Sequence, residues 1–284
     1  MLPIIYIIIP VFNRWHFTKA CLESLYAQTY TNFKIVVVDD GSTDSTPEHI
    51  RLEYPQAQLL HTTGDLFWSA TTNVGIRWAL EQGAEWVLTL NNDTLCLEGY
   101  LQALVDQIPH APNALQGSVA IEQGTGKVTY AGERHNWLTD GTVNLMHDLP
   151  VEKQIGLHRV THFPGRGLLI PRQVIEKIGL FDEKNLPHYL ADYDFTRRAH
   201  NSGIPVYVNF EARLITYPEA SGEKQLRENR TLANYWQYIT GMRGGANLRD
   251  FYHYSRKNCP WYLLPSYLLL GFAKRSLGYL VRGV

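Results

Sequence analysis

The sequence predicts an α/β protein: a mainly parallel, twisted sheet flanked by helices, followed by a C-terminal helical extension. Two observations carry this reading. Apolar, β-branched runs at 4–9 and 34–39 alternate with segments of helical period, the pattern of strands covered on both faces and joined by crossover helices. Polar residues then follow such runs directly, as in Trp86-Val-Leu-Thr-Leu-Asn-Asn-Asp93. That arrangement delivers them to one edge of the sheet, where open α/β sheets bind ligands.

Each element follows from local pattern. Residues 4–9 are all apolar and stop at Pro10, which reads as a buried strand, too short for a signal segment or a bilayer span. Residues 18–28 carry Ala20, Cys21, Leu22, Leu25 and Tyr26 at helical spacing. The second strand, 34–39, ends at Asp40-Gly41, a sharp turn after which Ser42, Thr43 or Asp44 can cap a helix running past Pro47. A short strand at 58–61, a helix at 72–82 ended by Gly83 and a fourth strand at 86–90 complete the parallel part. After about Ala114 the pattern becomes α+β. Residues 116–122 and 127–131 read as a hairpin about Gly124-Thr-Gly126. Strands at 159–163 and 167–170 flank the turn Pro164-Gly-Arg-Gly167, helices are expected at 172–178 and 193–201, and strands at 206–210 and 213–217.

The chain has 284 residues, 45% hydrophobic and 12% aromatic, ample for a core. We divide it into a catalytic unit, 1–220, and an extension, 221–284. Lys plus Arg total 26 against 27 for Asp plus Glu, so no basic field draws in nucleic acid. Cys21, Cys96 and Cys259 are odd in number, far apart and form no CxxC pair, which argues against a disulfide framework or a zinc site and for a reducing, cytoplasmic setting. The extension mixes Tyr235, Trp236, Tyr254, Trp261 and Tyr262 with Arg243, Arg249, Arg256 and Lys257. This suits a peripheral position on the inner face of a membrane, with Arg256, Lys257, Lys274 and Arg275 meeting anionic lipid, or equally a helical pair packed on the domain or in a homodimer. Residues 261–272 are apolar but broken by Pro265, too short to span a bilayer.

Several residue types suggest chemistry. Asp93, with Asn91 and Asn92 before it and Thr94 after, forms an all-oxygen cluster of the kind that holds Mg²⁺ or Mn²⁺ against a diphosphate; alternatively these residues cap a following helix. Asp39 and Asp40 at a strand end can accept hydrogen bonds from a base imide or a ribose hydroxyl. Arg14 can grip phosphate bidentately or remain a solvated loop arginine. Asp192 and Asp194 sit where a helix dipole favours acids, and Arg166 lies in a glycine-flanked turn.

Taken in order, Ile9-Pro-Val-Phe-Asn-Arg14, Val38-Asp-Asp-Gly-Ser-Thr-Asp44, Asn91-Asn-Asp93 and Ala191-Asp-Tyr-Asp-Phe195 resemble the motifs of family 2 glycosyltransferases, including a rhamnosyltransferase-like subgroup, over roughly residues 4–220. The resemblance implies a Rossmann-like GT-A fold, a nucleotide-sugar donor (UDP- or dTDP-linked), a divalent cation (Mg²⁺ or Mn²⁺) and inversion at the anomeric carbon. The acceptor would be a saccharide or lipid-linked saccharide, in cell-surface polysaccharide synthesis. It assigns base recognition to Asp40 with Pro10 and Phe12 as walls, donor contacts to Trp68, Asn73 and Asn92, the metal to Asp93 and the general base to Asp192, leaving Asp194 structural; beside these, Arg14 is placed to reach the diphosphate, and Arg166 either shapes the acceptor site or is only a turn arginine.

The chain departs from that pattern at three places. Asn91 replaces the first carboxylate of an Asp-x-Asp motif, Ala191 replaces a glutamate before Asp192, and Tyr217-Pro218 stands where a histidine ligand is often found. The lost acids keep open a second reading, a catalytically silent sugar-nucleotide-binding or scaffold protein. A dehydrogenase is excluded for want of GxGxxG after the first strand.

Overall fold

The computed structural model describes residues 2–217, 231–242 and 244–281. The ten-stranded sheet runs β10-β12-β6-β11-β4-β1-β2-β3, with β5 and β7 added beside β12 and β6. Its first half comprises β1 (Ile5–Val11), α1 (Trp15–Tyr26), β2 (Phe33–Asp39), α2 (Thr46–Glu53), β3 (Gln58–His61), α3 (Phe67–Glu81) and β4 (Trp86–Thr89). Strands β4, β1, β2 and β3 are parallel neighbours. Ile7, Ile8, Ile9 and Val36 to Val38 are fully buried, as strands covered on both faces require. Helix α3 lies close against this layer: a Cβ on Gly75 would meet Ile8 Cγ2 at 2.4 Å, so only glycine lets the helix approach.

The second half is mixed. It contains β5 (Thr94–Cys96), α4 (Tyr100–Asp106), β6 (Leu115–Glu122), β7 (Val128–Tyr130), β8 (Glu133–Asn136), β9 (Gly141–Asn144), α5 (Leu145–Asp148), β10 (Leu157–Arg159), β11 (Leu168–Pro171), α6 (Arg172–Ile178), α7 (Ala191–Asn201) and β12 (Val206–Thr216). The β6–β7 hairpin forms as expected. Strand β11 runs antiparallel to both β4 and β6 and joins the two halves. The extension forms α8 (Leu232–Thr240), α9 (Leu248–Asn258) and α10 (Leu264–Val281).

Four expectations need correction. Asp93 caps no helix, because Thr94 begins β5, which pairs with the end of β12. The strand expected at 159–163 is β10, displaced towards the N-terminus, since only Leu157 to Arg159 find partners on β12. The strands expected at 206–210 and 213–217 are one strand whose pairing with β6 shifts register between Asn209 and Arg213; the local polarity there marks a bulge, not a break. Helix α3 begins at Phe67 rather than Thr72, because backbone N–H groups of the preceding loop are held by Asp40. The division at residue 220 lies outside the described residues.

The C-terminal helices are tied to the preceding fold by polar contacts. Asp194 of α7, fully buried, accepts hydrogen bonds from Lys257 Nζ at 2.9 Å and Asn258 Nδ2 at 2.8 Å. Asp140, at the tip of the β8–β9 hairpin, accepts from Tyr267 Oη at 2.7 Å and Arg275 at 2.8 Å, while Lys274 donates to the carbonyls of Thr139 and Asp140. Three of the four cations expected to face lipid therefore point to the protein.

Candidate active site

Helices α1, α3 and α7 open onto the edge where β1, β2 and β4 end. Each is entered through a non-glycine residue in the left-handed region: Arg14 (φ 65°), Phe67 (57°) and Leu190 (64°). That conformation costs roughly 1–2 kcal/mol per residue. Strain gathered at one edge is a mark of a functional site.

Asp93 leaves this edge between β4 and β5, its carboxylate 3.8 Å from the Arg14 guanidinium. Burial pushes its pKa up, while Arg14 and then Arg166 pull it down. Across the edge, Asp192 at the start of α7 accepts from the Gly165 N–H at 2.9 Å and the Tyr193 N–H at 2.9 Å. Burial again raises its pKa, opposed by those N–H groups and by Arg166. Arg166 thus acts on both carboxylates, and its Nε is buried without a hydrogen-bond partner among the described residues. A guanidinium with an unused buried donor is suited to an oxyanion ligand.

Trp68 joins the two sides. Its Nε1 donates to Asn91 Oδ1 at 2.9 Å, and its ring packs edge-on to Phe181 with centroids 5.0 Å apart. A Cβ on Gly165 would meet the Trp68 ring at 2.3 Å. The small residue in Pro164-Gly-Arg-Gly167 is what lets the Asp192 turn and Trp68 touch.

Not every expected residue faces this cleft. Asn73 is buried, bonded to the Phe181 backbone at both amide atoms and to Glu183. Asn92 donates to Thr18 Oγ1 inside the protein. The Asp40 carboxylate is engaged by Thr62 Oγ1 (2.7 Å) and by the N–H groups of Gly64, Leu66 and Phe67 (each 3.1 Å). Pro10 lies opposite Val38 in the β1–β2 ladder, and Phe12 is 41% exposed beyond it. Tyr217 packs on Phe17, ring centroids 4.9 Å apart; Pro218 and Glu219 lie outside the described residues.

For a divalent cation the end of β4 presents Asp93, and the described residues contain no group of three or more His, Cys, Asp or Glu able to hold a metal. A hard cation takes six or more oxygens. Asp93 alone falls short of that number, so the described residues form no complete cation site.

Residues 6–179 match the family model for glycosyl transferase family 2. The chain belongs to this family. It is 29% identical over 196 residues to an uncharacterized glycosyltransferase of Rickettsia typhi, covering 68% of this chain and 57% of that protein. It is 26% identical over 215 residues to the N-acetylglucosaminyl-diphospho-decaprenol L-rhamnosyltransferase of Mycobacterium tuberculosis, covering 66% and 67%. The chain spans between 26% and 57% of the length of five Rickettsia relatives of this kind. Among solved structures, GalNAc-T7 with UDP, GalNAc and Mn²⁺ aligns at TM-score 0.62 and 15% identity, over 76% of this chain and 43% of that one. Residues 1–349 of Staphylococcus aureus TarS align at 0.57 and 15%, over 96% and 80%. These likenesses show the fold, which is GT-A.

Two residues that act on Asp192 carried little local signal in the sequence. The Gly165 N–H that holds Asp192 is a backbone group in a turn, with no residue-type signal. Glu133, in β8, lies in the stretch 132–156 to which the sequence assigned no element; the alternation of Glu133, Arg134, His135 and Asn136 is the one cue it carried.

Proposed function

We propose that the chain is an inverting glycosyltransferase of the family just named. It would move a sugar from a UDP- or dTDP-linked donor to a hydroxyl of a saccharide or lipid-linked saccharide in cell-surface polysaccharide synthesis. The observation that supports it is the pairing of Asp93, Arg14 and Arg166, a charged cradle for a leaving diphosphate, with Asp192, a shielded carboxylate held by two N–H groups. In this reading the acceptor oxygen attacks the anomeric carbon. The bond from that carbon to the diphosphate oxygen breaks with its electron pair on the diphosphate, and the hydroxyl proton passes to Asp192. Burial raises the affinity of Asp192 for that proton. Arg14 and Arg166 stabilise the charge that develops on the leaving group. Asp93 is the residue that would hold a divalent cation, which when bound supplies further charge neutralisation there. Asp40 contributes by holding the loop from Thr62 to Phe67 against the donor side, and Trp68 supplies a wall between donor and acceptor.

The test is calorimetric titration of nucleoside diphosphate sugars with and without Mn²⁺, on the wild type and Asp93→Ala. We expect a uridine or thymidine donor to bind, more tightly with Mn²⁺, and Asp93→Ala to weaken binding in Mn²⁺ and little in EDTA. Equal loss in both conditions would make Asp93 a structural partner of Arg14.

We also infer a position on the cytoplasmic membrane face. Trp261, Tyr262, Leu269 and Leu277 are 83, 66, 75 and 56% exposed on and just before α10, while no helix among the described residues is long and apolar enough to cross a membrane. With Lys257, Lys274 and Arg275 engaged, contact rests on aromatic and aliphatic insertion. Flotation with neutral and with anionic liposomes should then give similar binding; a chain that stays unbound as a dimer refutes it.

A further inference from the structure

Glu133 takes no part in the chemistry above, yet its side chain is delivered to it. Along β8 Glu133 and His135 are partly buried and Arg134 and Asn136 exposed, so by the two-residue period of a strand Glu133 shares the inward face with His135. That face leads through His162 to the start of α7: the His135 and His162 rings lie 5.2 Å apart, and His162 lies 5.6 Å from Tyr193, the residue after Asp192. The Glu133 backbone is fixed on both sides. It pairs with Asn144 across the hairpin, and its carbonyl accepts from the Thr161 N–H at 2.9 Å.

The result is a cluster drawn from three elements, Tyr130 of β7, Glu133 of β8, and Asp192 and Tyr193 of α7. The Tyr193 hydroxyl faces both the Glu133 carboxyl and the Tyr130 hydroxyl. Tyr130 Oη also donates to the His162 carbonyl at 3.3 Å. Burial first, and the Asp192 charge as well, push Glu133 up to about 7 against the hydrogen bond from Tyr193. Arg166 acts on Asp192 and Tyr193 from the opposite side.

We propose that Glu133, with the Tyr130 and Tyr193 hydroxyls, forms the acceptor-positioning wall of the site and selects an uncharged polyhydroxyl sugar end whose nucleophilic hydroxyl rests on Asp192. Carboxyl and phenol groups exchange hydrogen bonds with sugar hydroxyls as both donors and acceptors. Two carboxyl groups that act on one another repel an acceptor that bears phosphate or carboxylate on the reacting residue. Asp192 takes the proton and Glu133 orients the ring that carries it.

This rests on the transferase reading, and the experiment separates the two. Transfer kinetics are measured across pH 7 with neutral and uronic-acid saccharide acceptors, for wild type, Glu133→Gln and Tyr193→Phe, each checked for folding by circular dichroism. We expect Glu133→Gln to raise the acceptor KM roughly tenfold, the loss of one hydrogen bond to a charged group, with the donor KM unchanged. The inflection of acceptor KM near pH 7 should vanish, because the amide cannot titrate, and discrimination against the uronic acid should weaken. Tyr193→Phe should raise the acceptor KM less. Wild-type transfer with an unchanged acceptor KM and a persisting inflection in Glu133→Gln overturns this proposal alone. A wild type that binds donor and never transfers overturns the transferase reading and this one with it.

Discussion

The side of the cleft assigned to the donor and the side assigned to the acceptor are built differently. On the donor side β1 and β2 pair in continuous parallel register from Ile5 with Phe33 to Val11 with Asp39, and Asp93 follows directly from β4, the strand on the other flank of β1. Each side chain there reaches the edge because its own strand ends there. On the acceptor side Asp192 is held by Gly165, 27 residues away, and the helix beneath it by Lys257 and Asn258, 63 and 64 residues from Asp194. The hairpin that presents Glu133 is anchored through Asp140 by Arg275, 135 residues on. One side is specified by local pattern, the other by long-range polar contacts, so substitutions should affect them in separable ways.

The sharpest separation is Asp192→Asn. Asparagine keeps the size of the side chain and an oxygen for the Gly165 N–H, but it cannot take a proton at neutral pH, and a positioned base contributes about 10²–10⁴-fold. Transfer should fall by that factor while calorimetry finds donor affinity preserved, since Arg14 and Asp93 are untouched. If donor binding falls in parallel with transfer, the two sides are not separable; if transfer persists, Asp192 is not the base.

The same contrast explains what was legible. The strands from Ile5 to Thr89 could be read because buried parallel strands announce themselves as unbroken apolar runs, and the edge residues Asp93 and Arg14 could be read because they follow those runs. Asp192 was reached only through motif order, and its neighbours Gly165 and Glu133 through nothing local. Asn73 and Asn92 show the converse. Both lie in the right stretch of sequence, and both are consumed by buried hydrogen bonds, to Phe181 and to Thr18. No periodicity distinguishes an amide that faces a ligand from one that satisfies a neighbouring backbone. Asp40 is a similar case, its carboxylate holding the loop before α3, whose early start the sequence also missed.

A smaller effect, and a closer test of how the acceptor side is held, is expected from Asp194→Ala. Asp194 is fully buried and accepts from Arg198 Nε at 2.8 Å as well as from Lys257 and Asn258. Removing one partner of a fully buried ion pair costs about 3–5 kcal/mol because the remaining charge is stranded. Here the stranded side chains are 19% (Arg198) and 33% (Lys257) exposed and recover part of their hydration, so we expect roughly 2–3 kcal/mol. At about 2–4 °C per kcal/mol for a domain of this size, thermal melting should show a fall of roughly 5–10 °C. Transfer should drop about tenfold, far less than in Asp192→Asn, since a loosened α7 misplaces the base without removing it. An unchanged melting temperature would mean that α9 is not held through this cluster. A loss of transfer matching that of Asp192→Asn in a folded protein would instead make Asp194 the proton acceptor, and its ion pairs with Arg198 and Lys257 would have to open in every turnover.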